Sequence, residues 1–385
     1  MKRLAIITSH PIQYNAPLFR LLTERKRIAI KVFYTWGQTE QGFVYDPDFK
    51  KEFKWDIPLL EGYEAIFVEN ISVHPGAGHF TGIKNKDLIR QIDLYNPDAL
   101  MVIGWSFQSH LQVLRHYKGR TKIIFRGDSN LLDEAPGFSI KKSLRRLVLK
   151  WVLMHIDVAL YTGEHNRQYY IKHGVKQHQL VYAPNAVENQ RFADGDAEAI
   201  INAKVWRREL GIPESSLVFL FAGKLESKKD PLLLINAFKS LPQIDIRLLL
   251  VGNGVLEKDA KQLAANDNRI LFLDFQNQQQ MPIVYRLGDV FVLPSKGPGE
   301  TWGLSVNEAM ACGRAVIVSD KCGCAADVVC GNGIVFEAEN KQDLQRALLY
   351  FAENSIATSI LGNKSSQVIK QFSHEQVATA IEQSI

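Results

Sequence analysis

Short, wholly apolar runs rich in β-branched residues recur along the chain, separated by amphipathic stretches. This alternation constrains the fold more than any other feature. Leu4–Thr8, Ile28–Tyr34, Ala99–Ile103, Lys122–Phe125 and Val158–Tyr161 read as strands, with helices at Ala16–Glu24 and Gln108–Tyr117. Strands that are apolar on both faces need cover on both, as in a parallel sheet flanked by helices. The pattern lapses after Pro184-Asn185-Ala186, where residues 188–213 are polar, charged and helix-friendly. It restarts with Leu217–Ala222, Arg247–Val251, Ile270–Leu273, Val290–Leu293, Ala315–Val318 and Ile334–Phe336. The pattern predicts an α/β protein of two doubly wound domains, residues 1–190 and 191–370. Residues 371–385 read as a C-terminal helix N-capped by Ser373, expected to pack back on the first domain. A length of 385 residues agrees with two domains.

Composition narrows the function. Hydrophobic residues are 46% and charged residues 23%, as in a globular protein. The net charge of +5 suits an acidic ligand or an anionic surface and is too small to argue for nucleic acid. The most apolar stretch, residues 147–161, is broken by Lys150, His155 and Asp157, short of the ~20 clean apolar residues of a membrane span. The N-terminal apolar run ends by Ser9-His10-Pro11, too short for a signal peptide. A cytoplasmic protein is expected. Residues 139–153 read as a basic amphipathic helix carrying Trp151, which suits an anionic membrane surface such as the inner face of the plasma membrane. The alternative is an ordinary packing helix with a solvated basic face. Of Cys312, Cys322, Cys324 and Cys330 only Cys322-Gly-Cys324 is closely spaced, so reduced, mostly buried thiols are expected and no metal.

Doubly wound sheets bind ligands beyond the carboxyl ends of their strands, so the chemistry is sought in the loops there. The densest such segment is Pro294-Ser295-Lys296-Gly297-Pro298-Gly299-Glu300-Thr301-Trp302-Gly303-Leu304-Ser305-Val306-Asn307-Glu308. It leaves a strand through a Gly-rich loop and opens a helix near Gly303, whose first N–H groups suit phosphate oxygens. Eight positions separate Glu300 from Glu308, on the order of 10 Å. One carboxylate could hold the hydroxyls of a sugar and the other a ribose diol, with a diphosphate between them. The alternative is one helix-start Glu and one solvated helix Glu.

The E-x7-E element, the Glu-Ala-Met-Ala-x-Gly after it, Val-Ile-Val-Ser-Asp at 316–320, Phe221-Ala222-Gly223-Lys224 with Lys228-Lys229-Asp230-Pro231, Leu250-Val251-Gly252-Asn253-Gly254 and Pro184-Asn185-Ala186-Val187 resemble, in order, glycosyltransferase family 4. That resemblance implies the GT-B fold, with two Rossmann-like domains facing each other across a cleft. It also implies retaining transfer of a hexose or N-acetylhexosamine from a UDP- or GDP-sugar to a glycan or lipid-linked acceptor in bacterial cell-surface polysaccharide synthesis, without metal or other cofactor. By the same resemblance Glu300, Lys229 and Lys224 are the catalytic candidates, Lys224 standing where the family most often has Arg. Glu308 should meet the ribose. Backbone N–H groups around Gly303 and Leu304 should bind the diphosphate, and Trp302 and Ser305 are further donor-binding candidates. Asn253, Phe275 and Asn277 should lie near the base, Phe275 being equally readable as core. The first domain should hold the acceptor, with His10, Gln13, Arg126, Asp128 and Asn185 as candidates. A different enzyme on the same fold, such as a sugar-nucleotide epimerase, or a non-catalytic binding module are the rival functions.

Overall fold

The computed structural model describes every residue except 38–43, 47–50, 135, 136, 138, 194, 195, 243 and 244. It consists of two compact units: Met1–Val44, Ile57–Asn185 and His374–Ile385 form the first, Tyr45–Asp56 and Ala186–Ser373 the second.

The first unit is built on β1 (Lys2–Thr8) and β2 (Ile28–Tyr34). Next along the chain come β3 (Val44–Asp46) and β4 (Lys51–Phe53), a separate two-stranded ladder. The unit continues with β5 (Ala65–Phe67), β6 (Ala99–Ile103), β7 (Lys122–Arg126), β8 (Val158–Tyr161) and β9 (Leu180–Tyr182). The sheet order is β5-β2-β1-β6-β7-β8-β9, with every pairing parallel. Leu4, Ala5, Ile6 and Ile7 of the central strand are fully buried, as the unbroken apolar run requires. Strands β5 and β9 were not legible in the sequence. Each has three half-buried residues at a sheet edge, too few to show a period.

Between the ends of β2 and β6, His110 is completely buried. Its Nδ1 lies 2.9 Å from the Gly104 carbonyl and its Nε2 3.0 Å from the Thr35 hydroxyl. Burial pushes its pKa down to about 4, so the ring is a neutral cross-brace.

The C-terminal helix, His374–Gln383, belongs to this unit and packs on the helix Ala16–Glu24. Val377, Ala378, Ala380 and Ile381 supply its buried face. Arg25 fastens it: one guanidinium nitrogen sits 2.8 Å from Glu382 Oε2, and another bonds the Glu375 carboxylate.

The second unit has β10 (Leu217–Ala222), β11 (Ile246–Val251), β12 (Ile270–Leu273), β13 (Val290–Leu293), β14 (Ala315–Ser319) and β15 (Gly333–Phe336). Their order is β12-β11-β10-β13-β14-β15, again wholly parallel. Phe219, Phe221, Leu248, Leu250, Val292 and Ile317 meet Leu234, Phe238 and Phe351 from the helices Pro231–Lys239 and Lys341–Glu353 in one core. The chain winds outward from β10 to β12, then returns to β13 on the other side of β10. Loops leaving β10 and β13 therefore part to opposite faces, which makes their carboxyl ends the place where such a sheet takes a ligand.

Arg25→Ala leaves Glu382, whose side chain is 7% exposed, with only the exposed Arg27 as an ion-pair partner among the described residues. It is expected to cost about 2–3 kcal/mol, read as a lower denaturant midpoint. An unchanged midpoint contradicts this account of how the helix is held.

Candidate functional site

Two loops at the reversal in the second unit carry the densest chemistry. The loop after β10 runs through Lys224 into a 3-10 turn, Ser227–Lys229. Asp230 then adopts a left-handed conformation (φ 48°) and caps the next helix at the Leu233 N–H, with Pro231 at the first position. The loop after β13 is tied to the first: the Lys296 N–H donates to the Lys228 carbonyl at 2.9 Å, and its ammonium lies 3.5 Å from Asp230 Oδ2.

These ties bring Lys229 and Glu300 together. The ammonium is 2.5 Å from Glu300 Oε2, with side-chain exposures of 15% and 8%. The hydroxyl of Ser295, itself fully buried, donates to the same carboxylate oxygen at 2.9 Å. Ser295 is set in turn by the Ser319 hydroxyl, which donates to its carbonyl.

Immediately beyond, Gly303 (φ 97°) turns the chain into the helix Leu304–Ala311. Only glycine suits this corner, because a Cβ there would come within 2.8 Å of Leu293 and the left-handed backbone disfavours side chains. It would also lie 3.8 Å from Glu300 Oε1, so the carboxylate and the helix N-terminus are neighbours.

The loop rests on the turn Cys322-Gly323-Cys324. The N–H groups of Gly323 and Cys324 donate to the carbonyls of Glu300 and Trp302 at 3.1 and 3.0 Å. A Cβ on Gly323 would stand 1.7 Å from the Thr301 carbonyl oxygen, so the two backbones touch. Cys322 and Cys324 are buried. Burial, and then the Glu300 carboxylate, push the Cys322 thiol up to about 12, which keeps it protonated. Among the described residues no group of three His, Cys, Asp or Glu side chains could hold a metal ion.

The remaining donor candidates divide. Glu308 is 2% exposed and accepts a 2.6 Å hydrogen bond from the Tyr285 hydroxyl, so it is not a solvated helix residue. Leu304 and Ser305 are half-buried in the first turn of the helix, and Lys224 is half-buried two residues past β10. Trp302 faces inward: it is buried, its indole N–H donates to Asn307 at 2.9 Å, and its ring sits 6.2 Å from that of Phe372. That makes it a plug beneath the loop rather than a ligand platform. Asn253, in the loop after β11, ties that loop to the next helix and to the loop after β12, donating to Glu257 and Asp274 and accepting from the Phe275 N–H. Phe275 is half-buried. The Asn277 amide donates to the Lys54 carbonyl at 2.6 Å, a partner some 220 positions earlier that no local pattern could reveal.

In the first unit, His10 Nδ1 and the Ser9 hydroxyl are 3.0 Å apart, and the ring meets Trp36 edge-on at 5.4 Å. Burial lowers the His10 pKa and favours the neutral ring. Gln13 is half-buried and Asp128 exposed. Arg126 is engaged elsewhere. Its guanidinium donates to the carbonyls of Ala183 and Pro184 and to Asn185 Oδ1, at 2.8, 3.1 and 3.2 Å. Burial pulls its pKa down to about 10, still charged at neutrality. Arg126 and Asn185 therefore fasten the end of the first unit's chain. Sequence reading missed Ser295 and Tyr285, because a hydroxyl that serves a distant carboxylate has no spacing signature.

Residues 202–371 match the family model described as glycosyl transferases group 1. The chain is 24% identical over 362 residues to a D-inositol 3-phosphate glycosyltransferase of Rhodococcus opacus (strain B4), covering 85% of this chain and 77% of that protein. A Streptomyces bingchenggensis (strain BCW-1) protein of the same name is 31% identical over 210 residues, covering 50% and 44%. Among solved structures, Anabaena Alr3699/HepE in complex with UDP and glucose superposes with a TM-score of 0.71 at 16% identity, covering 100% and 99%. WaaG, a glycosyltransferase involved in lipopolysaccharide biosynthesis, gives 0.65 at 14% identity, covering 98% of each chain. These likenesses show the GT-B fold.

Gly323→Ala is expected to destabilise the second unit by about 2 kcal/mol or more, because one of two touching backbones must move. Gly299→Ala meets no atom within 4 Å and carries only the left-handed backbone cost of about 1 kcal/mol. Chemical denaturation of both variants checks the order, and equal midpoints contradict it.

Proposed function

We propose that this chain, whose residues 202–371 form a group 1 glycosyl transferase domain on the GT-B fold, transfers a hexose or N-acetylhexosamine from a UDP- or GDP-sugar to a glycan or lipid-linked glycan, with retention of configuration. One observation carries the reading. A nearly buried lysine and glutamate meet at the strand-order reversal of the second unit, beside the N-terminus of the helix Leu304–Ala311. Lys229 and the first N–H groups of that helix hold the diphosphate. Glu300 accepts from hydroxyls of the transferred sugar and Glu308 from the ribose diol. As the anomeric bond breaks, negative charge grows on the leaving phosphate oxygen, and a fixed cation and fixed dipoles stabilise it without a metal. The acceptor hydroxyl attacks from the leaving-group side and passes its proton to the departing phosphate.

The acceptor is proposed to bind the first unit near His10, Gln13 and Asp128. An acceptor embedded in or beside a membrane is supported by the helix Ile140–Leu153. Among the described residues no helix is long and apolar enough to cross a membrane. This helix buries Leu149, Val152 and Leu153, yet leaves Ile140 (80%), Leu144 (62%), Leu147 (65%) and Trp151 (41%) exposed along one stripe. Five Lys and Arg and no acidic residue accompany them. Such a helix suits the interface of an anionic bilayer and supports a peripheral location on the inner face of the plasma membrane.

Product detection over a panel of UDP- and GDP-sugars with glycan, lipid-linked and inositol phosphate acceptors tests the activity; the last are included because of the named relatives. Glu300→Ala and Lys229→Ala are each expected to lower transfer by about 10²-fold or more, and wild-type rates in a folded variant refute the assignment. Donor binding without turnover on any acceptor favours a binding module. Flotation with phosphatidylglycerol vesicles at low salt is expected to carry the protein up. Leu144→Glu with Trp151→Glu is expected to weaken that binding by more than about tenfold; equal flotation removes the membrane reading.

A further inference from the structure

We infer that Glu300 makes the site discriminate against the spent nucleotide: its carboxylate competes with a bare diphosphate for Lys229, and only a donor still carrying its sugar offers Glu300 replacement partners. The inference rests on the reading that Lys229 meets the diphosphate. It goes further in giving Glu300 a role in product release as well as in sugar recognition.

The geometry leads there directly. Glu300 and Lys229 are each other's charge partner at 2.5 Å, and both side chains are mostly withdrawn from water. The surrounding backbone sets where the two residues stand. The Lys229 backbone sits in a 3-10 turn locked by Asp230 and Pro231. Glu300 accepts from the buried Ser295 hydroxyl, and its carbonyl accepts from the Gly323 N–H. A nucleoside diphosphate arriving at the helix N-terminus brings negative charge toward a carboxylate already placed there and draws the ammonium away from it. A buried carboxylate stripped of its cation is strongly unfavourable. The Ser295 hydroxyl alone does not replace a full charge.

A sugar on the β-phosphate changes the balance. Its hydroxyls donate to Glu300 as Lys229 turns to the phosphates, so the carboxylate keeps hydrogen-bond partners throughout. Once the sugar has left, those donors are gone and the carboxylate reclaims Lys229. The same side chain that recognises the sugar thereby weakens the hold on the product.

Titration calorimetry on the full chain tests this with UDP, UDP-glucose, GDP and GDP-mannose against the wild type, Glu300→Gln, Lys229→Gln and the double variant. The nucleoside diphosphate that binds is expected to bind Glu300→Gln about tenfold more tightly than wild type, while its intact sugar donor gains nothing or weakens. In the Lys229→Gln background the gain shrinks several-fold. An unchanged or weaker diphosphate affinity in Glu300→Gln overturns the inference. Ser295→Ala supplies the test if Glu300→Gln does not fold. With that hydroxyl gone, Glu300 leans harder on Lys229 and diphosphate affinity falls about threefold; no change overturns the inference. If no nucleotide or nucleotide-sugar binds the wild type or any variant, the donor reading itself fails.

Discussion

A parallel sheet that reverses its strand order opens a gap between the two loops at the reversal, and in this protein a bridge spans it. In the second unit that bridge is ionic. Lys229 comes from the β10 side and Glu300 from the β13 side, and they meet at 2.5 Å in a place nearly closed to water. The same two loops are joined by the Lys296 N–H on the Lys228 carbonyl and by Lys296 on Asp230. The site is thus the weld between the two loops that leave the paired strands β10 and β13. Its charges are balanced before any ligand arrives.

The weld depends on a layer beneath it. The loop carrying Glu300 lies on the turn Cys322-Gly323-Cys324, backbone against backbone. Ser319, at the end of β14, reaches back to the Ser295 carbonyl, and Ser295 reaches forward to Glu300. The ends of three neighbouring strands, β10, β13 and β14, therefore contribute to the position of one carboxylate. Protonated thiols suit this layer, since a thiolate beneath Glu300 would add a like charge.

The first unit shows the same economy with different residues. His110 braces the chain after β2 against the chain after β6 as a neutral ring. Arg126 spends its guanidinium on the last residues before the chain leaves the unit. The chain then comes back at His374, and Arg25 fastens the returning helix. The outlying segment Tyr45–Asp56 groups with the second unit and offers carbonyl and carboxylate acceptors to Asn277 and Gln279. In the sequence it stands out only as a stretch rich in charged and aromatic residues, with nothing to say which unit it joins.

The sequence by itself determined the two α/β sheets and the order of their central strands' appearance, because unbroken apolar runs such as Leu4–Ile7 and Leu217–Ala222 are stable only when covered on both faces. It also marked the Gly-rich loop and the residues Lys229, Glu300 and Glu308, since glycine at a helix start and charge at fixed spacing are local signals. Tertiary structure alone decided what each side chain does. Glu308 proved buried on Tyr285, Trp302 turned inward to Asn307, Arg126 and Asn185 joined each other, and Asn277 went to Lys54. The physical reason is distance along the chain. A periodic pattern reports which face of an element is apolar, but a hydrogen bond or ion pair between loops 70 or 200 residues apart exists only once the sheet has brought their strand ends side by side.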